Sequence, residues 1–119
     1  MAMTKRLTLT GCPLSVNNIW RRNNKGWTYL TDAGRNLKEK WAWEARTQWK
    51  MEPTKEKVSL SLVLYFPDRK RRDLSNQPKL IEDALTGVVW NDDSQIDELI
   101  IVRDYDKRLP RVELVIATL

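Results

Sequence analysis

The stretch KVSLSLVLYF, Lys57 to Phe66, is the clearest structural signal in this sequence. Its side chains alternate in character, and strict alternation at every second residue is the pattern of a β-strand with one buried face. The apolar set that would enter a core consists of Val58, Leu60, Leu62, Leu64 and Phe66. The opposite face would carry Ser59, Ser61, Val63 and Tyr65. We therefore predict a half-buried strand here, and the rest of the fold is placed around it.

A helix and two further strands are predicted after this strand. The helix runs from about Asn76 to Thr86, where Pro78 is tolerated in the first turn and Gly87 ends the helix. Its apolar face consists of Leu80, Ile81, Ala84 and Leu85. Glu98 to Arg103 and Arg111 to Ala117 then have strand character. Because a short polar segment joins these two strands, we predict that they pair as an antiparallel hairpin.

The N-terminal half supplies a strand, a small hairpin and a long helix. Lys5 to Gly11 alternates in polarity and predicts a short strand. Asn23 to Gly26 is a turn signal, which would join Trp20–Arg22 to Trp27–Leu30 in a hairpin. Thr31 is a candidate N-cap for a helix that reaches about Lys50. Residues at every fourth position form the buried stripe of that helix: Leu37, Trp41, Ala45 and Trp49.

Together these elements predict one α/β domain over residues 1–119, with a small mixed sheet of about four or five strands and two main helices. The sequence shows no internal repeat, low-complexity segment or linker that would mark a second domain. Trp41 and Trp49 are expected in the core, and Trp90 is expected to anchor its loop there. Trp20 and Trp27 lie among cations, where an aromatic ring either packs on the protein or stacks on an unpaired base.

The composition narrows the chemistry and the cellular setting. The net charge of +5 and the pI near 9.5 favour a polyanionic partner, either nucleic acid or a membrane surface. The absence of histidine excludes Ser-His-Asp and Cys-His catalysis, and also nucleases that combine histidine with one metal. Cys12 is the single cysteine, so no internal disulfide forms, as expected in a reducing cytosol. Because no stretch suits a transmembrane helix or a secretory signal, we expect a cytoplasmic protein without a membrane partner.

After the predicted strand Lys57 to Phe66, a basic run leads directly into an acidic residue. Four consecutive cations, Arg69 to Arg72, precede Asp73, and the acidic pair Asp92–Asp93 follows the short helix. Dense cations attract a phosphate backbone, whereas neighbouring carboxylates repel it unless a divalent metal lies between them. This combination indicates metal-assisted chemistry on nucleic acid. Simpler explanations stay open, because the cations also suit a solvated face or a plain nucleic-acid patch, and the aspartates suit a helix cap or a turn.

Carboxylates, lysine and metal-bound water remain as the catalytic groups. Hydrolysis of a phosphodiester develops negative charge that Mg²⁺ neutralises when one or two carboxylates hold the ion in place. Asp73 precedes the short helix and the Asp92–Asp93 pair follows it, so residues 87–91 must bring the chain back along a helix roughly 16 Å long. Lys79 either contacts the scissile phosphate or forms an ordinary i,i+4 ion pair with Asp83.

Two segments resemble the RusA family of Holliday junction resolvases, which are small phage and bacterial endonucleases. The first is Pro67 to Asn76, where the basic run meets Asp-Leu-Ser-Asn, followed by Lys79 and by Asp83-Ala84-Leu85. The second is Trp90 to Ile96, which contains the family's Asp-Asp-x-Gln pattern. An earlier element, Pro13 to Asn18 followed by Trp20-Arg21, is similar to the family's Pro-x-Ser-x-Asn element. The similarity covers most of the chain in the family's order and spacing.

The resemblance implies a homodimeric, Mg²⁺-dependent endonuclease that binds four-way DNA junctions and nicks two strands symmetrically in recombination and repair. Asp73 and Asp93 match catalytic, metal-binding aspartates, and Lys79 matches a required lysine. Asp92 stands beside Asp93 and is a further candidate ligand. Ser75 replaces the second aspartate of the family's Asp-Leu-Asp-Asn pattern, and a serine hydroxyl is a weak, neutral ligand for Mg²⁺. Mn²⁺, which is less demanding of geometry, is a candidate substitute.

The cations nearest to these motifs are the candidate contacts to the DNA backbone. They are Arg69, Lys70, Arg71, Arg72, Arg21, Arg22 and Lys25. A four-way junction can adopt two-fold symmetry, and a two-fold dimer would present two equivalent sites for paired nicks. The Ser75 departure leaves two alternatives open: a structure-selective DNA-binding protein without catalysis, and a nuclease that acts on other branched DNA such as flaps or forks.

Overall fold

A mixed four-stranded sheet forms the centre of the computed structural model, which describes residues 3–12 and 20–119. The strands are β1 Thr4–Thr10, β2 Trp20–Arg22, β3 Thr28–Leu30, β4 Val58–Phe66, β5 Ile96–Tyr105 and β6 Arg111–Thr118. In the main sheet the order is β1-β6-β4-β5. Strand β4 pairs in parallel with β5 and antiparallel with β6, which pairs antiparallel with β1. The short strands β2 and β3 form the separate N-terminal hairpin that the turn signal predicted.

Strand β4 is the middle of the core, as its alternation predicted. Its five apolar residues from Val58 to Phe66 are each no more than 1% exposed, and the residues between them are half-buried. Hydrogen-bonded neighbours occupy both edges of β4. A strand that is paired on both sides and covered on one face fixes the register of the whole sheet, because a slip of one residue would expose its apolar set.

The predicted hairpin between the last two strands is wrong. Strand β4 lies between β5 and β6, so these two strands are not hydrogen-bonded to each other. Their connection crosses the end of β4 instead, where the Asp106 backbone N–H donates to the Phe66 carbonyl at 2.8 Å. Sequence patterns favour pairing across a short polar turn, but β4 gains two partners in this arrangement and its apolar face becomes fully enclosed.

Two helices complete the α/β fold: α1 Asp32–Trp49 and α2 Pro78–Leu85. The Thr31 hydroxyl caps α1 by accepting a hydrogen bond from the Gly34 N–H at 3.1 Å, as predicted. Helix α2 begins two residues later than predicted, because residues Leu74–Asn76 form a separate 3-10 turn. Neither of the two has both the length and the apolar character needed to cross a membrane.

The predicted apolar faces of both helices enter one core with β4. Trp41, Ala45 and Trp49 of α1 are buried, and Leu37 is half-buried against them. In α2 the whole predicted set is buried: Leu80, Ile81, Ala84 and Leu85. Trp90 is fully buried and anchors its loop to the core, as expected. The predicted Pro13 to Asn18 element and the side chain of Trp20 lie outside the described residues.

Candidate active site and nucleic-acid interface

Asp73 lies where the basic segment after β4 meets the 3-10 turn. It occupies the N-cap position of that turn, but its side chain makes no capping hydrogen bond. The residue is exposed, and no hydrogen bond or ion pair joins its carboxylate to the described part of the chain. A simple capping role therefore does not account for Asp73, and its carboxylate is accessible to a ligand.

The segment after α2 doubles back, as the metal-site hypothesis required. Gly87 follows the helix with a positive φ of 86°, and its N–H donates to the Trp90 carbonyl at 2.7 Å. The Val89 carbonyl accepts from the Thr54 N–H at 2.8 Å, which ties the return to the segment before β4. This compact turn carries Asp93 back into electrostatic range of Lys79 and Glu82 on α2.

The Asp92 carboxylate takes part in hydrogen bonds of its own turn. It accepts from the Ser94 backbone N–H at 3.1 Å and from the Ser94 hydroxyl, and these hydrogen bonds lower the pKa of Asp92. Gln95 completes a capping box, since its Oε1 accepts from the N–H groups of Asn91 and Asp92 at 2.9 Å. The turn-forming explanation thus accounts for Asp92 in this structure, and its role as a metal ligand stays a prediction.

Asp93 acts electrostatically on Lys79, the cation of helix α2. The ammonium of Lys79 donates to the Asp83 carboxylate at 3.3 Å. This hydrogen bond and the Asp83 charge raise the pKa of Lys79, and the Asp93 charge adds to the effect. The structure therefore contains the i,i+4 pair of Lys79 with Asp83, and Asp93 lies within electrostatic range of the same cation. A contact of Lys79 with the scissile phosphate stays a prediction.

Glu82 is the acidic residue that the sequence reasoning missed. Burial raises the pKa of its carboxyl group, and the nearby negative charge of Asp93 raises it further. Glu82 and Asp83 are consecutive, and Glu82 lies three residues after Lys79, so helical spacing alone places it beside that lysine. Asp93 thus acts electrostatically on Lys79 and Glu82, and Lys79 is paired with Asp83.

Asp73 is not joined to this group by any interaction within the described residues. Over residues 3–12 and 20–119, no three acidic or cysteine side chains lie close enough together to hold a metal ion by themselves. The donor chemistry nevertheless suits a hard divalent cation, because Asp93 and Glu82 are carboxylates whose charges interact and a cation relieves such repulsion. Such a site would need one or two carboxylates, with water and substrate oxygens as the remaining ligands.

Ser75 lies at the middle of the 3-10 turn Leu74–Asn76 and is exposed. It does not cap α2, because Gln77 occupies the N-cap position of that helix. A role as the cap of α2 therefore does not account for Ser75. Ser75 is two residues after Asp73, which is the N-cap of the same turn. The hypothesis to test is that the residue at position 75 affects metal binding by Asp73.

The basic run divides into anchored and accessible cations. Arg72 is held by the Asp68 carboxylate at 2.8 Å, and its guanidinium lies 4.7 Å from the centroid of the Phe66 ring. Arg69 stacks on the Tyr105 ring at 4.0 Å and is still exposed. Lys70 and Arg71 are exposed, and no side-chain hydrogen bond or ion pair to the described residues is found for either. Arg72 thus supports the loop, while the three preceding cations are available to a polyanion.

The N-terminal hairpin presents a second basic surface. Arg21, Arg22 and Lys25 are exposed, and the Arg22 Nε donates to the Gly26 carbonyl at 3.0 Å across the turn. This hairpin carries three of the predicted DNA-contacting cations. Trp27 at its tip is 72% exposed, so packing on the protein does not explain this tryptophan.

Comparison with known proteins assigns the family. The model of the family described as endodeoxyribonuclease RusA matches residues 11–117, which include both acidic segments and both basic surfaces. Crossover junction endodeoxyribonuclease RusA of Escherichia coli K12 is 31% identical over 101 residues, covering 84% of each chain. The enzyme of that name from Enterobacteria phage 82 is 31% identical over 114 residues, covering 95% of this chain and 93% of its own. The Aquifex aeolicus relative is 28% identical over 88 residues. This chain belongs to the RusA family of endodeoxyribonucleases.

Proposed function

We propose that this protein is a Mg²⁺-dependent endonuclease that resolves four-way DNA junctions by paired, symmetric nicks. The observation that carries the proposal is the similarity to relatives named crossover junction endodeoxyribonucleases over 84–95% of the chain. The exposed cations on the basic loop and on the hairpin support a DNA substrate. Such a substrate would place the protein in the cytoplasm of a bacterial or phage-infected cell, where it would serve recombination and repair.

The acidic side of α2 is the proposed catalytic site. Asp93 and Asp73 would hold Mg²⁺, with Asp92 and Ser75 as further predicted ligands and Glu82 or Asp83 as neighbours. The bound ion would supply charge neutralisation and an activated water. Lys79 is protonated at neutral pH, as lysines ordinarily are, and its raised pKa favours the charged form further, so its ammonium would stabilise negative charge on the phosphate. The ion pair with Asp83 would hold that ammonium in place.

A homodimer is part of the proposal, and strand β5 is the surface that supports it. Strand β5 lies at the edge of the main sheet, and three of its apolar side chains, Leu99, Ile100 and Val102, are between 41% and 50% exposed. A long apolar edge strand is an aggregation hazard unless something covers it. A second copy of the chain would cover it through antiparallel pairing of the two β5 strands about a two-fold axis.

The charges along β5 favour one register for that pairing. With Ile100 opposite its own copy, Asp97 of one chain lies opposite Arg103 of the other, and the symmetry makes this contact twice. Moving the axis to Ile101 would instead oppose Glu98 and Asp104, which are both acidic. Electrostatic complementarity therefore selects the register centred on Ile100.

A structure-selective binding protein without catalysis is the second candidate. The specific observation in its favour is Ser75, because the family pattern has a carboxylate at this exposed position and the chain does not. One gel assay separates the candidates: incubation of junction, fork and linear duplex DNA with and without Mg²⁺. Junction cleavage only with Mg²⁺ is the expected result. Binding without cleavage at any metal concentration would select the second candidate, and preferred cleavage of forks would indicate another branched substrate.

A further inference from the structure

The N-terminal hairpin has one face towards the core and one towards solvent. Residues directly opposite each other in an antiparallel pair project to the same side, and Arg21 is opposite Tyr29. Leu30 packs against the core, so the other side of the hairpin faces outward. Trp27 and Tyr29, two residues apart on β3 and its approach, share that outward side and are 72% and 48% exposed.

The turn of the hairpin fixes the backbone of Trp27. Asn23 donates its N–H to the Trp27 carbonyl at 2.8 Å, and the Asn23 side-chain carbonyl accepts from the Trp27 N–H at 2.9 Å. The same oxygen accepts from the Lys25 N–H at 2.9 Å, and Gly26 supplies the positive φ of 82° that closes the turn. The indole is therefore carried by a defined backbone while its ring lies in solvent.

The surroundings of these rings favour a nucleobase over an apolar protein surface. The exposed cations Arg22 and Lys25 flank the turn, and Asp32, the acidic residue nearest in sequence, forms an ion pair with Arg35. Proteins that bind unpaired nucleotides combine such cations, which follow the phosphates, with aromatic faces on which bases stack. Trp43 on α1 is similarly exposed, at 65%, but its helical neighbours include Glu39 as well as Lys40.

We propose that Trp27 and Tyr29 form a stacking platform for an unpaired base at the branch point of the DNA. This inference rests on the proposed function for the source of the unpaired base. The platform would contribute to recognition of branched DNA, whereas the phosphate contacts of the neighbouring cations are shared by all DNA forms. Loss of stacking on one aromatic ring typically weakens binding by about tenfold or more per base.

The stacking platform is tested by comparing wild type and three variants of the intact chain on two DNA strands. Wild type, Trp27→Ala, Trp27→Phe and the control Trp43→Ala are each titrated, without divalent metal, against a thymine oligonucleotide and an abasic oligonucleotide of equal length. We expect wild type, Trp27→Phe and Trp43→Ala to prefer the thymine strand by about tenfold. Trp27→Ala should lose most of this preference, because only Tyr29 of the platform remains. A Trp27→Ala variant that keeps the preference, or a wild type without one, would overturn the platform.

A second arm uses a four-way junction and a linear duplex of equal length. Trp27→Ala should lose about tenfold in affinity for the junction and little for the duplex. An equal loss on both would show that Trp27 acts through general DNA contact and would overturn the branch-point role. A wild-type protein that binds junction and duplex equally would count against the proposed function, while the thymine and abasic arm would still decide the stacking platform. Unchanged melting temperatures establish that the variants are folded.

Discussion

Asp92 and Asp93 are adjacent residues with different surroundings. The Asp92 carboxylate is used by the capping box with Ser94 and Gln95, whereas Asp93 acts electrostatically on Lys79 and Glu82 across the site. Two neighbouring aspartates in a sequence pattern therefore have separable functions. Substitution of Asp92 should affect folding, and substitution of Asp93 should affect DNA cleavage.

Asp93→Asn is expected to reduce junction cleavage by at least about 100-fold at saturating Mg²⁺, since even changes outside the metal ligands commonly cost about 10–100-fold. Junction affinity should be unchanged or higher, because a negative charge facing DNA is removed. Cleavage rates and gel-shift affinities measure the two effects. Wild-type cleavage by this variant would exclude Asp93 as a ligand.

Two controls accompany Asp93→Asn. Asp92→Ala should lower the melting temperature by roughly 4 °C, the usual effect of a lost helix cap in a domain of this size, whereas Asp93→Asn should not. Asp32→Asn changes an exposed carboxylate on α1 and should alter neither cleavage nor folding.

Ser75→Asp should lower the Mg²⁺ concentration needed for half-maximal cleavage, because it adds a carboxylate beside Asp73 on the 3-10 turn. Mn²⁺ should support the serine form better than Mg²⁺ does, since it is less demanding of geometry. Metal titrations of junction cleavage compare the two proteins, with Ser75→Asn as the neutral control. Superimposable curves for the serine and aspartate forms would place position 75 outside the metal site.

Some contacts of the candidate site residues were predictable from the sequence, and others were not. Sequence spacing identified the Lys79–Asp83 pair as one of two explanations, and the structure contains it. Arg72 was grouped with its neighbours because a run of cations gives no sign of which member folds back onto Asp68 and Phe66. Glu82 was missed because its importance depends on the return of the chain to Asp93, a tertiary contact with no local pattern.

At the scale of elements, the loop after β4 joins the central strand to the candidate site. Arg72 anchors this loop through Asp68, through the Phe66 ring and by donating to the Asp68 carbonyl at 3.2 Å. Arg103 on β5 adds a hydrogen bond to the Arg72 carbonyl at 2.8 Å. The exposed cations Lys70 and Arg71 are thereby held on a loop of fixed position.

Lys70→Ala and Arg71→Ala are each expected to weaken junction and duplex binding alike. Each should reduce the slope of log affinity against log salt concentration by about one, because one phosphate contact and its released counterion are lost. Arg72→Ala should instead lower the melting temperature, since it leaves Asp68 without its cation. Salt titrations and thermal unfolding distinguish the two outcomes. An unchanged salt slope in both Lys70→Ala and Arg71→Ala would remove the basic loop from the DNA interface.

The Asp68–Arg72 anchor also predicts a pH dependence of stability. The hydrogen bond from Arg72, with one from the Lys70 backbone, lowers the pKa of Asp68 in the folded protein. A lowered pKa means that the stabilisation is present above the unfolded value of about 3.9 and is lost as pH falls through the folded pKa. Asp68→Asn should therefore melt below wild type at pH 7, and the two should converge in acid. A constant difference at all pH values would show that the Asp68 charge is not responsible.

More of the individual helices and strands could be predicted from the sequence than of their arrangement in the sheet. Strand β4, helix α1 and the small N-terminal hairpin follow from alternation, a fourth-residue stripe and a turn signal, all of which are local. The placement of β5 and β6 on opposite sides of β4 could not be derived, because local patterns do not state which edge of a strand is free. The start of α2 was placed too early because the 3-10 turn before it has a similar local pattern.

At the scale of the whole molecule, the edge position of β5 has a consequence for assembly. The central strand β4 uses both of its edges within the chain, and among the described strands β5 is hydrogen-bonded to β4 alone. The apolar residues at the middle of β5 are flanked by Asp97 on one side and by Arg103 on the other. This order of charges is self-complementary when two copies run in opposite directions.

Ile100→Glu is expected to convert a dimer into a monomer, because the proposed axis would bring two copies of the new carboxylate together. Light scattering at micromolar concentration should give twice the chain mass for wild type and a mass near 14.0 kDa for the variant. Trp43→Glu, a change at an exposed apolar residue of α1, is the matched control and should remain dimeric. On a plasmid with an extruded cruciform, wild type should produce linear DNA by paired nicks, and Ile100→Glu should produce mainly nicked circles.

Asp97→Arg should also weaken the dimer, and adding Arg103→Asp should restore it. A dimeric Ile100→Glu would exclude β5 as the interface, and a wild-type mass near 14.0 kDa with and without junction DNA would exclude the dimer itself.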